Sequence, residues 1–181
     1  MRHTRFLDRC LLAVYLSAIL ACLAPFSAAA NDWPMWRHNP QRNGATEQAL
    51  PANLNLQWVR RTAPLKPAFR NSRLQFDRGY EPIVVGKTLY FGSSRNDSVT
   101  ALDTRTGQQK WRFFADGPVR FAPAAFNGKI YVGSDDGCLY CLNGATGELH
   151  WKFRAAPSRR KILGNGRMIS VWPVRGGPVV Q

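Results

Sequence analysis

The sequence predicts an all-β fold of the propeller class, incomplete: about two four-stranded antiparallel blades plus an N-terminal closing strand. Three observations carry this. First, "ALDTRTGQQKWRF" (101–113) returns as "CLNGATGELHWKF" (141–153), the tryptophans lying 40 residues apart (151 − 111). Second, the match runs upstream: "EPIVVGKTLYFGS" (81–93) corresponds to "APAAFNGKIYVGS" (122–134), offset by 41 at the proline (123 − 82). Third, no helical period runs far enough after the first thirty residues to compete with short alternating strands. Four strands per ~40–45 residues, repeated, is the pattern of propeller blades. A chain repeats in this way because one blade cannot bury its own apolar faces.

Residues 1–30 are read as a signal peptide. Arg2, Arg5 and Arg9 precede the apolar run "CLLAVYLSAILACLAPF", and "SAAA" places small residues before a cleavage expected after Ala30. Pro25 interrupts the run, which is short for the ~20 residues of a membrane span. Lipoprotein anchoring through Cys22 is the less favoured reading, because Leu20 sits badly for a lipobox. The chain is therefore expected to be exported, to the periplasm or beyond, with no transmembrane span after cleavage.

Residues 31–80 form an N-terminal segment. Within it, "LNLQWV" (54–59) alternates like an outer strand with no blade of its own, and is read as the closing strand of a ring. Blade 1 covers 81–121 and blade 2 covers 122–154. In the second, Asn127-Gly128 signals a tight hairpin, and Asp136-Gly137 and "NGATG" turn the chain twice more. "ELHWKFR" then alternates: Leu149, Trp151 and Phe153 face one side, and His150, Lys152 and Arg154 the other. A Trp buries ~150–250 Å², so Trp111 and Trp151 are expected to be the buried staples between blades. Residues 155–177 read as a basic loop. Residues 178–181 read as the start of a third blade, since "PVRGGPVVQ" parallels "PVRFAPAAF". Two blades cannot close a ring of ~4–8, so the chain is expected to be the N-terminal piece of a longer protein.

The motif A-x-D-x-x-T-G-x-x-x-W resembles the tryptophan-docking motif of the PQQ-type (pyrroloquinoline quinone) propeller repeat. Ala101, Asp103, Thr106, Gly107 and Trp111 match it fully; the second copy keeps Thr146, Gly147 and Trp151, with Cys141 for Ala and Asn143 for Asp. The opening "DWPMWRHNPQRNG" and "LPANLNLQWVRR" resemble the start of secreted PQQ-like, BamB-like repeat proteins. The resemblance implies that the Trp of one blade docks on the Thr-Gly turn of a neighbour. It also implies two functional classes. One is a non-catalytic binding or scaffold protein of the cell envelope. The other is a quinoprotein dehydrogenase with PQQ and calcium at the channel mouth. The family's enzymes use adjacent cysteines, a Trp floor and a calcium carboxylate set, none of which is recognisable in this sequence. The expectation is no cofactor in this fragment, with PQQ and calcium belonging to a full-length enzyme if there is one.

The formal charge is +14, and +12 once residues 1–30 are removed (22 − 10). Export turns that charge away from nucleic acid and toward a protein or anionic polymer at the envelope, alongside the remaining blades of the chain itself. Arg120 and Arg175 hold equivalent positions, three residues before a proline, and are the ligand candidates at the channel mouth; the alternative is that they stiffen the connections by bonding loop carbonyls. Cys138 and Cys141 form C-x-x-C, but Leu142 excludes haem attachment and no second ligand pair exists for zinc. They are read as small buried strand residues. His38 and His150 stand alone, and the Asp135-Asp136 pair is attributed to turn chemistry. No catalytic residue or metal ligand is assigned.

Overall fold

The computed structural model describes residues 32–181. The leader and Cys22 fall outside the described residues. The first sheet has the order β1-β2-β3-β4, with β1 at Ile83–Val85, β2 at Thr88–Ser93, β3 at Ser98–Asp103 and β4 at Gln109–Phe114. The second repeats it: β5 (Ala124–Phe126), β6 (Lys129–Gly133), β7 (Cys138–Asn143) and β8 (Leu149–Arg154), in the order β5-β6-β7-β8. Every pairing is antiparallel. The likeness extends to irregularities: the register slips between Ala101 and Leu102 in one sheet and between Cys141 and Leu142 in the other. The stretch read as a basic loop contains a hairpin, β9 (Lys161–Gly164) with β10 (Arg167–Ser170). Its turn is Asn165-Gly166, both at positive φ (49° and 77°), the pattern of a type I′ hairpin.

Turn chemistry fixes the repeat locally. Asp103 Oδ1 accepts from the N–H groups of Arg105 and Thr106 at 3.0 and 2.9 Å, and Asn143 Oδ1 does the same for Ala145 and Thr146 at 2.8 and 3.1 Å. An Asn thus replaces the Asp without loss of the turn, because each supplies one acceptor oxygen. The Asn127-Gly128 turn has positive φ at both residues (46° and 71°).

The two sheets share one core. Ile83, Val99, Ala101 and Trp111 from the first pack with Ile130, Val132, Cys138, Tyr140 and Leu142 from the second. The alternation of β4 therefore shows as burial: Trp111 is 8% exposed. On β8 every residue is exposed, and Trp151 stands 41% open beside Tyr131. The expectation that both tryptophans are buried staples is corrected for Trp151. Its indole meets no Thr-Gly turn among the described residues, and the face of β8 carrying Leu149, Trp151 and Phe153 is exposed there.

The segment before β1 binds both sheets. Trp33 forms a β-bridge with Val84 of β1, and Pro34 O accepts from Ala125 N of β5 at 2.7 Å. Residues 54–59 and 178–181 carry no ladder pairing among the described residues. Trp58 nevertheless docks, with Nε1 donating to Thr104 O at 2.8 Å.

Candidate functional site

Two connections leave the sheets in the same way. After β4 the chain runs through Pro118-Val119-Arg120; after the hairpin it runs through Pro173-Val174-Arg175. Each valine covers a strand glycine. A β-carbon on Gly92 would lie 2.5 Å from Val119 Cγ1, and one on Gly133 would lie 2.7 Å from Val174 Cγ1. Only glycine lets the connection settle this closely, and the seating aims the next residue, an arginine, inward.

Both arginines converge on Asp135. Arg120 Nε donates to Asp135 Oδ2 at 2.6 Å, and Arg175 Nε and Nη2 fork onto Oδ1 and Oδ2 at 2.9 and 3.0 Å. Arg120 Nη1 also donates to Lys66 O at 2.8 Å and to Asp77. Asp77 in turn accepts from Ala68 N through both oxygens (3.2 and 3.1 Å). The side chains of Arg120, Asp77 and Asp135 are 4%, 0% and 1% exposed, against 21% for Arg175. Charges this buried persist because each is paired and hydrogen-bonded. The sequence pointed to the two arginines but not to their partners. Asp135 is not explained by turn chemistry alone, as expected from sequence; its side chain is the hub. Asp77 lay in a segment without any strand signal.

What the cluster presents outward is aromatic. Phe76 stacks on Phe121 at 5.5 Å between ring centroids, Phe69 meets Phe76 edge-on at 6.2 Å, and the Arg175 guanidinium sits 5.7 and 5.9 Å from the Phe69 and Phe76 rings. Phe69 and Phe76 are 41% and 45% exposed.

A second polar cluster ties the sheets together. Tyr140 Oη donates to Asp136 Oδ2 at 2.6 Å, and Lys152 Nζ reaches Asp136 at 3.1 Å and Asp116 at 2.5 Å. Burial alone would raise the Asp136 carboxyl, but the bonds from Tyr140, Lys152 and Cys138 N outweigh it and hold it below the usual range. Burial, and then the bond to Asp136, push the Tyr140 phenol up to about 12. Cys138 and Cys141 are buried and unpaired, and burial raises both thiols.

The described residues do not fit a PQQ and calcium cradle. The carboxylates nearest the arginines are filled: Asp135 by two guanidiniums, Asp77 by Arg120 and a backbone N–H. Among the described residues no group of three or more His, Cys, Asp or Glu side chains could hold a metal ion.

Comparison with known proteins identifies the relatives of the chain. Residues 28–179 match the family described as outer membrane protein assembly factor BamB. The chain is 31% identical over 111 residues to the dehydrogenase subunit of a quinone alcohol dehydrogenase of Gluconobacter oxydans. It is 35% identical over 91 residues to a quinohemoprotein alcohol dehydrogenase of Comamonas testosteroni. These alignments cover 54% and 43% of the chain but 14% and 13% of the relatives. The solved structure of the Comamonas enzyme superposes with a TM-score of 0.55 at 26% identity, over 80% of the chain and 22% of that protein. The chain thus spans less than a quarter of the length of these relatives.

Proposed function

We propose, from the premise that the chain belongs to the BamB outer-membrane-assembly family of PQQ-like repeat β-propellers, that it is a non-catalytic binding or scaffold protein of the cell envelope. The observation that carries this reading is the shared carboxylate of Asp135. With Asp77 it balances the charge of the two arginines, and it holds Arg120, engaged by both carboxylates, away from any reacting anion. Arg120 becomes framework. Arg175 keeps one guanidinium edge toward Phe69 and Phe76, a surface suited to gripping an acidic segment of a protein or an anionic polymer. Export by the leader at 1–30 would deliver the mature chain from Asn31 to that location. Trp58 covers Gly107 and Trp111 covers Gly147. By the same succession, the open Trp151 face is the seat for a further blade.

A second reading has support in the names of the curated relatives, which are quinone alcohol dehydrogenases. One titration separates the two. Purified protein is expected to give no saturable micromolar binding of PQQ with calcium. It is expected to bind poly-glutamate, with Arg175→Ala and Phe76→Ala each weakening that binding several-fold. Saturable PQQ binding, or poly-glutamate binding indifferent to both variants, would overturn the scaffold reading.

A further inference from the structure

We propose that the β9–β10 hairpin is a contact for an anionic lipid surface. The inference rests on the envelope location proposed above, but not on the Arg175 surface. Three consecutive cations, Arg159, Arg160 and Lys161, lead into the hairpin, the last of them opening β9. Not one Asp or Glu occurs from Ala155 to Gln181. Arg167 is spent on Asp97 and on the carbonyls of Ser94 and Arg95, and Arg175 is held by Asp135 with its remaining edge at Phe69 and Phe76. The side chains of Arg159, Arg160 and Lys161 make no ion pair or hydrogen bond among the described residues, so their charge is available.

Beside these cations the hairpin turns apolar side chains to water. Leu163 pairs directly with Met168 across the ladder, so both stand on one face, and they are 73% and 56% exposed. Lys161 lies two residues before Leu163 and shares that face. Ile162, at the edge, is 45% exposed. The hairpin cannot roll this face inward, because its other attachments are fixed. Ile169 and Ser170 are buried. Asn165 at the tip donates to Pro67 O at 2.6 Å and accepts from Arg70 Nε at 3.0 Å, and Ser170 N donates to Asp135 O at 2.7 Å.

The combination selects the partner. A soluble polyanion gains from the three cations and nothing from Leu163 or Met168. A bilayer interface takes both: headgroup phosphates meet the cations while the apolar pair enters the acyl boundary. Each Lys or Arg near an anionic surface gives about a five-fold gain in binding.

The test is co-sedimentation of the full chain with vesicles of phosphatidylglycerol and phosphatidylethanolamine, against pure phosphatidylcholine vesicles. The leader is common to every variant, so differences between variants report the hairpin. The triple variant Arg159→Gln, Arg160→Gln, Lys161→Gln is expected to bind the phosphatidylglycerol vesicles at least ten-fold more weakly at low salt. The double variant Leu163→Ser, Met168→Ser is expected to lose roughly ten-fold, a loss that survives 0.5 M salt because screening acts on charge alone. Urea midpoints within about 0.3 M of the parent's exclude misfolding as the cause. Parent-like vesicle binding by both variants would overturn the proposal. So would an equal loss by the triple variant on phosphatidylcholine vesicles, or retention on heparin that needs the cations while the apolar pair matters to neither partner. A cytoplasmic location of the protein in cells would sink the envelope reading without altering the vesicle result.

Discussion

Trp111 lies against Gly147. A β-carbon added to that glycine would stand 2.6 Å from two indole carbons, while the indole Nε1 donates to Gly144 O at 2.9 Å. Tyr90 Oη donates to the same carbonyl at 3.0 Å. The ring needs the glycine both for room and for its φ of 78°, so the turn of one sheet is shaped to receive the strand of the other.

Trp111→Ala is therefore expected to cost about 3–5 kcal/mol, as for a large aromatic removed from a core. Trp151→Ala is expected to cost less than about 1 kcal/mol, since surface substitutions usually fall in that range. Urea denaturation of both variants checks the difference. Equal losses would mean that the Trp151 face is covered in solution.

Trp58 repeats this docking on Gly107, where a β-carbon would lie 2.7 Å from its ring. Without a strand ladder over 54–59, this contact and the Arg60 bond to Gly107 O at 3.1 Å hold the segment. Trp58→Ala should leave the midpoint of global unfolding nearly unchanged yet open residues 54–62 to protease, a local opening of few contacts. Limited trypsin digestion, which cuts at Arg60 and Arg61, reads the outcome directly.

Asp135→Asn should be among the most damaging polar changes in the chain. It leaves Arg120, 4% exposed, without a counter-charge on that side, and breaking a buried pair typically costs about 3–5 kcal/mol. Arg175→Ala, at the half-open end, should cost about 1 kcal/mol or less. Thermal melts of the two variants should separate clearly; equal melts would show that Asp135 is not the hub.

Alkaline pH should loosen the fold through Tyr140. Its phenol is raised from 10.0 to about 12 in the folded protein, so the unfolded chain releases this proton first. The stabilisation is complete below pH 10 and is lost as pH rises toward 12. Lys152, raised above 10.5 by its bonds to Asp116, Tyr140 and Asp136 against the opposing effect of burial, acts in the same direction. Urea midpoints should fall across that window, and Tyr140→Phe should flatten part of the fall. On the acid side, the depressed Asp136 carboxyl contributes stability that disappears as pH drops below about 4.

The sequence by itself determined the repeat, the strands and their turns. These depend on interactions within a few residues: alternation along β4, the acceptor oxygens of Asp103 and Asn143, and positive φ at Asn127 and Gly128. It also picked out Arg120 and Arg175 as an equivalent pair, because their spacing from a proline is local. Only the tertiary structure decided what those residues do. Asp77 and Asp135 meet Arg120 across 43 and 15 positions; Asp77 lies in no local pattern, and the turn that accounts for Asp135 locally says nothing of the arginines it pairs with. The same holds for Trp111 and Trp151, alike in local sequence but 8% and 41% exposed. Burial belongs to the neighbour a face meets, not to the strand that bears it. The 155–177 segment hid a hairpin because Ile162 and Leu163 are both exposed although they point to opposite faces of β9, and the burial of Ile169 and Ser170 alone on β10 leaves no period-two alternation to read.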